Sequence, residues 1–250
     1  MKLNRRSFLG LVSVTSLTGC ARIATALNDN ASFHAMLLAP ERLNLALLGA
    51  GQPLAQEYPP QDISPDFRAN GFDPPGSSQY AQWSADGWRG YALRVDGLVE
   101  RPQSYDLPAL RRRFVMRSQI TRHDCVEGWS VIGKWNGVRL SDLLADVGVK
   151  PLAQYVVFHS MDSDPYGSLY YESLSLRQAV HPQALIAYDL NDGPVPVKNG
   201  APLRLKVPTQ LGYKSAKYLQ RIELVATLGS LGGGNGGYWE DQGYEWYAGI

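Results

Sequence analysis

Cysteine is scarce in this chain: 250 residues hold two, Cys20 and Cys125. Two cysteines exclude the disulfide framework that staples many small secreted domains. Histidine is nearly as rare, and His34, His159 and His181 show no metal-ligand spacing, which speaks against a zinc site. Neither sign of charge is in surplus, with 24 Lys and Arg against 23 Asp and Glu. Setting aside residues 1–19 leaves 21 basic against 23 acidic groups. A nucleic-acid-binding domain carries a clear basic excess, so that class is excluded. The apolar stretch at residues 8–19 falls short of the ~20 residues a membrane-spanning helix requires. What the chain does have is 41 Gly and Pro residues, which favour turns and short strands over long helices. Length and composition suit one globular, loop-rich domain, mixed or β-dominated, and exclude a disordered or collagen-like chain.

Residues 1–20 read as an address. A basic start is followed by a short apolar stretch, and Arg5-Arg6-Ser7-Phe8-Leu9 matches the twin-arginine export pattern. The expectation is transport across the inner membrane to the periplasm in a folded state. Leu17-Thr18-Gly19-Cys20 resembles the lipobox of bacterial lipoproteins, in which the cysteine is lipidated and becomes the new N-terminus. Such acyl chains would tether the domain to a membrane through Cys20; the alternative is an incidental cysteine in a discarded peptide. Proteins using this route often hold a cofactor inserted before export, so a buried cofactor is the first thing to seek.

Residues 21–90 read as an extended N-terminal segment packed on the body, with a short apolar helical stretch at residues 42–48 and a Pro/Gly/Gln-rich run to Ser84. From Tyr91 the signals sharpen. Leu93 and Val95 alternate with Arg94 and Asp96 as in a half-buried strand, and residues 112–121 predict another. Asn136-Gly137 suits a tight turn. A helix follows with Ser141 as N-cap, Leu140, Leu143, Leu144 and Val147 at helical spacing and Gly148 as its stop. Residues 155–158 read as a strand buried on both faces, residues 184–197 as a hairpin turning at Asn191-Asp192-Gly193, and residues 203–207 and 218–225 as further strands. The Gly-rich, aromatic residues 229–250 predict a tail that packs back on the body.

The chemistry concentrates in Thr121-Arg-His-Asp-Cys-Val-Glu-Gly-Trp-Ser130. Cys125, with His123, Asp124 and Glu127 close by, admits a thiol nucleophile needing a distant base, an inert buried thiol, or a single thiolate ligand to a soft metal whose other ligands come from an organic molecule. The last fits the residues best.

At this point the sequence resembles a known family. Arg122-His-Asp-Cys-Val-Glu-Gly-Trp-Ser130, Lys198-Asn-Gly-Ala-Pro-Leu-Arg-Leu205, Gly212-Tyr-Lys-Ser-Ala-Lys217 and Gly237-Tyr-Trp-Glu-Asp-Gln-Gly-Tyr-Glu-Trp-Tyr247 look like the molybdopterin-dependent oxidoreductases of the sulfite oxidase family. Within it, the bacterial periplasmic single-domain members, methionine-sulfoxide reductase catalytic subunits among them, are the most similar. The resemblance covers residues 65 to 250. It implies a sulfite-oxidase-type molybdopterin-binding α+β fold over residues 91–250, with mixed sheets, short helices and long loops. It implies Cys125 as the cysteinate on molybdenum, with His123 and Asp124 as candidate pocket or supporting groups. Asn199 and Arg204 match pterin-binding positions, and Ser215, Ala216 and Lys217 match the loop at the cofactor's phosphate end. Ser160 and Asn70 sit at two further pterin-contact positions. Each has a plainer alternative: Asn199-Gly200 as a turn, Arg204 and Lys206 as the solvated face of a strand, Lys214 and Lys217 as surface charge.

The implied activity is two-electron redox or oxygen-atom transfer on a small molecule or sulfoxide, by a monomer that carries no haem and exchanges electrons with a membrane-bound haem or quinone-linked protein. The rival is a cofactor-free periplasmic binding or assembly module that retains the fold. Val126-Glu127-Gly128-Trp129 replaces the Arg-bearing run that follows the cysteine in true sulfite oxidases, and Glu127 would repel an anion if it faced the site. Sulfite oxidation is therefore not expected. The Asn-Phe-Tyr block of the sulfoxide reductases is also missing, so the sequence names no substrate.

Overall fold

The computed structural model describes residues 53–250. The twin-arginine segment, Cys20, His34 and the helical stretch at residues 42–48 lie outside the described residues.

Two five-stranded sheets carry the fold. The first runs in the order β2-β1-β10-β5-β6, from strands β1 (Leu93–Gly97), β2 (Gln103–Tyr105), β5 (Tyr155–Ser163), β6 (Leu169–Ser175) and β10 (Leu219–Val225). Only β1 and β10 pair in parallel there. The second is built from β3 (Met116–Asp124), β4 (Ser130–Arg139), β7 (Leu185–Leu190) and the short β8 (Gly193–Pro194), with β9 (Arg204–Lys206) also on β7. Four short α-helices accompany them among the described residues: α1 (Ser78–Ala85), α2 (Leu107–Arg113), α3 (Leu140–Val147) and α4 (Leu176–Ala179). This is the expected α+β architecture.

Alternation decides which side chains reach the core. Leu93 and Val95 of β1 are fully buried beside Ile222 and Leu224 of β10, while Arg94 points outward. Asp96, on the face expected to be solvated, is instead buried and held by Arg221 at 2.8 Å. Leu140, Leu143, Leu144 and Val147 form the buried stripe of α3 and join the same core. Truncating one of these leucines would cost about 2–5 kcal/mol. Gly148, at φ 70°, ends that helix as expected, but it begins two residues early, with Arg139 rather than Ser141 at the N-cap and no side-chain cap.

Three expectations are corrected. Residues 112–113 are the last turn of α2, whose N-terminus is fixed by Asp106 accepting from the Ala109 N–H at 2.6 Å, so the strand begins at Met116. Asn136-Gly137 makes no turn; it lies inside β4 at a bulge opposite β7. The glycine is needed there for approach, because a Cβ would stand 2.3 Å from the Ile186 carbonyl oxygen. Arg204 and Lys206 are not a solvated face, since all of β9 is buried. The hairpin at residues 191–193 is as expected, with Asn191 and Asp192 at positive φ.

Candidate functional site

β3 delivers the chain to Cys125, which starts a tight turn: its N–H donates to the Trp129 carbonyl at 2.9 Å, and its carbonyl accepts from Gly128 N–H at 3.0 Å. The thiol is free, 7% exposed, and lines a cleft. Asn70 reaches it from the other end of the described chain, its Nδ2 donating to Sγ at 3.4 Å. The cleft encloses about 670 Å³, including solvent at its mouth. Ser215, Ala216 and Lys217 line it with Cys125 and Asn70, so five of the residues singled out in the sequence share one cavity. Phe72, Tyr170, Trp239 and Tyr244 give it aromatic walls, the last two from the C-terminal tail, which packs back as expected.

Arg204 and Asn199 lie behind this surface. Arg204 is 1% exposed, donates through Nη1 to the Asn199 carbonyl at 2.8 Å and through Nη2 to the Ser215 carbonyl at 3.3 Å, and stacks 5.0 Å from the Trp135 ring. It thereby ties the two sequence blocks together. Asn199 Nδ2 donates to the Phe67 carbonyl at 3.2 Å, so it too supports backbone. The Ser215 hydroxyl accepts from Val207 N–H at 3.1 Å, and Lys217 Nζ donates to the Phe72 carbonyl at 2.8 Å.

Three expected residues lie elsewhere. His123 is buried behind the Cys125 turn with Nε2 unpartnered; burial, then the charges of Lys206 and Arg204, hold its pKa well below the ordinary histidine value. Asp124 accepts from Arg122 Nε at 3.0 Å and the Ser130 hydroxyl at 2.6 Å, bonds that fix the turn rather than face the cleft. Ser160 is buried with its hydroxyl unpartnered and borders a second cavity, beside His159 and Gln220.

The sequence did not single out Asp162 or the role of Lys206. Asp162 lines the cleft and is buried; Lys206 donates to the Arg122 carbonyl at 2.9 Å at the root of the cysteine turn. The signal for Asp162 was its place two residues after Ser160, on the same face of β5 by period 2. For Lys206 it was the apolar character of the residues on either side.

Arg204, Lys206 and Lys217 are three buried cations whose hydrogen bonds go to carbonyls; none makes an ion pair among the described residues. Burial pushes Lys206 down to about 7 and Lys217 down to about 8, with Arg204 adding to both. Several buried charges of one sign are costly without a counter-anion. The cradle therefore suits an anionic group. A metal here would bring most of its own ligands, because among the described residues no three His, Cys, Asp or Glu side chains converge. A metallated, phosphate-bearing organic cofactor meets both conditions.

Comparison with known proteins agrees with that chemistry. The oxidoreductase molybdopterin binding domain matches residues 80–228. The chain belongs to this family of molybdopterin-dependent oxidoreductases, of the sulfite oxidase type. It is 36% identical, over 98% of its length and 87% of the other's, to an Azospira oryzae protein provisionally named protein-methionine-sulfoxide reductase subunit YedZ1. It is also 36% identical to the protein-methionine-sulfoxide reductase catalytic subunit MsrP of Ralstonia nicotianae, over 54% of this chain and 44% of that protein. The match thus spans less than half of that catalytic subunit. Among solved structures, the sulfane dehydrogenase SoxCD of Paracoccus pantotrophus is similar over 55% of this chain and 38% of that one, at 23% identity and a TM-score of 0.49.

Gly212 tests how tightly the cofactor loop seats on the cysteine turn. A Cβ there would stand 2.5 Å from His123 Nε2 and 3.2 Å from the Asp124 carbonyl. Gly212→Ala is expected to push the loop outward, cost about 1–3 kcal/mol, and lower bound pterin per chain. Denaturant unfolding and pterin quantification check both effects; unchanged pterin content would show that the loop does not need this contact.

Proposed function

We propose that this chain is the cofactor-bearing catalytic component of an exported molybdopterin enzyme that reduces sulfoxides, with electrons supplied by a membrane-bound haem or quinone-linked partner. The carrying observation is the Cys125 thiol, bonded by Asn70 on the wall of a cleft that the buried Lys217 also lines, with Arg204 and Lys206 buried outside its lining and none of the three in an ion pair among the described residues. When bound, the molybdenum centre supplies two-electron redox chemistry and oxygen-atom transfer.

The residues divide the remaining work. Cys125 is the metal ligand, and Asn70 holds its sulfur in place. Ser215, Ala216 and Lys217 receive the phosphate end, while Arg204 and Asn199 stiffen the loops that form the cradle. His123 and Asp124 support the turn from behind. Phe72, Trp239 and Tyr244 limit water at the reacting centre. Glu127 lines the mouth, held by the Trp129 indole N–H at 2.7 Å and Arg68 at 3.8 Å, and disfavours anionic substrates such as sulfite. A neutral sulfoxide meets no such barrier. The names of the relatives point to methionine sulfoxide within proteins as the substrate to try first. The twin-arginine and lipobox patterns support a periplasmic location, with Cys20 as the site of a lipid anchor.

The test is to produce the protein in a molybdopterin-competent host and measure metal, pterin and dye-driven sulfoxide reduction. About one molybdenum and one pterin per chain with turnover is the expected result. A folded, pterin-free chain from a host that loads a known molybdoenzyme would overturn the proposal in favour of a binding module.

A further inference from the structure

We propose that Asp162 adjusts the charge of the cofactor cradle, its carboxyl taking up a proton from solvent when the cofactor's phosphate end settles against Lys217 and the Ser215 loop. This rests on the cofactor reading above and extends it to a residue outside the family blocks.

The geometry carries the inference. β5 alternates so that Ser160 and Asp162 turn inward, and a bulge separates its pairing with β6 between His159 and Ser163. Asp162 is 2% exposed, lines the same cleft as Lys217 and Cys125, and its Oδ1 has no hydrogen-bond partner. A buried carboxylate oxygen left unpaired is costly and rare. Lys217 and Arg204 are the cations that act on it, and the hydroxyls of Tyr80, Tyr170 and Tyr218 are the other titratable groups that feel it. Asp73 acts on Lys217 from the N-terminal side.

Burial holds the Asp162 carboxyl up at about 7, and the pull of Lys217 and Arg204 only partly offsets it. The group is thus divided between its two forms at neutral pH. An anion placed against Lys217 repels the carboxylate form and raises the carboxyl further. Binding then takes up a proton, so affinity for the anionic group falls as pH rises through about 7, by up to about tenfold per pH unit. No electrons move in this step; a proton passes from solvent to a carboxylate oxygen.

The experiment follows the holoprotein itself. Samples are dialysed at about pH 6, 7 and 8, and pterin and molybdenum retained per chain are measured over time for wild type, Asp162→Asn and Lys217→Arg. Wild type is expected to lose pterin progressively faster toward the highest pH. Asp162→Asn, which removes the carboxyl's proton uptake and leaves only that of Lys206 and Lys217, should show a shallower profile and outlast wild type there. Lys217→Arg, whose cation does not titrate in this range, should keep the larger part of the wild-type slope and so exclude Lys217 as its main origin. A second reading needs no variant: the infrared band of a protonated carboxyl should grow on loading when cofactor-free and loaded wild type are compared at pH 8. An Asp162→Asn slope equal to wild type, or no growth of that band, overturns the inference while leaving the cofactor reading intact. A chain with no pterin at any pH overturns both.

Discussion

Cys125→Ser is expected to abolish turnover, by about 10³-fold or more, while the chain still folds and still carries pterin. A thousandfold loss corresponds to about 4 kcal/mol of transition-state stabilisation. The reason for the split lies in the geometry. The thiol accepts a side-chain hydrogen bond from Asn70, whereas the cradle of Ser215, Lys217 and Arg204 is fixed by hydrogen bonds between its own side chains and the backbone. Serine preserves the volume and the turn but offers a hydroxyl that is a poor ligand for a soft metal. Parallel assays of pterin, molybdenum and dye-driven sulfoxide reduction separate the two effects. Full activity in the serine variant would remove Cys125 from the metal; loss of pterin along with activity would show that the sulfur holds the cofactor as well as tuning it.

Lys214→Met is expected to cost about 3–5 kcal/mol, a fall in Tm on the order of 10 °C. Lys214 is fully buried; its Nζ donates to Glu172 Oε1, and to Glu240 Oε1 at 2.5 Å. The other oxygen of each carboxyl has no partner. Two carboxyls and one ammonium in a dry site cannot all be charged without an excess of one. Burial, reinforced by Glu240, outweighs the pull of Lys214 and raises the Glu172 carboxyl well above the usual range. The sign pattern follows: Glu172→Gln keeps an acceptor for Lys214 and should be mild, whereas Lys214→Met removes the donor that both buried carboxyls share. Lys214 directly precedes Ser215, and Glu240 directly follows Trp239, so pterin retention should fall together with stability. Thermal unfolding of the two variants decides the matter. Equal damage from both would mean that the cluster holds two ionised carboxylates.

Much of this site could be read in the sequence because its parts lie in contiguous blocks. Cys125, Asn199, Arg204 and residues 215–217 each occur in a short motif, and the structure gathers them through local turns. Strand β1 and the stripe of α3 were legible because one-sided burial imposes a period, and β5 was legible as a short apolar run buried on both faces. Burial on both faces erased that signal in β9, where Arg204 and Lys206 imitate a solvated edge. Gly137 misled for a different reason, since its backbone sits close to Ile186 and nothing in Asn-Gly distinguishes a turn from a bulge. Asp162 and the Glu172–Lys214–Glu240 cluster are assembled across 26 or more residues, and no local pattern encodes such meetings.

The aromatic walls of the cleft set an order on the protein's biogenesis. Asn70 and Phe72 approach from early in the chain, Cys125 and Asp162 from its middle, and Trp239 and Tyr244 from its tail. A ribosome working through this message has made the metal ligand and most of the cradle well before it makes the walls that close over them. Contacts spanning so much chain form late because the loops they close are long. The walls that Trp239 and Tyr244 contribute are thus the last part of the cleft to be made.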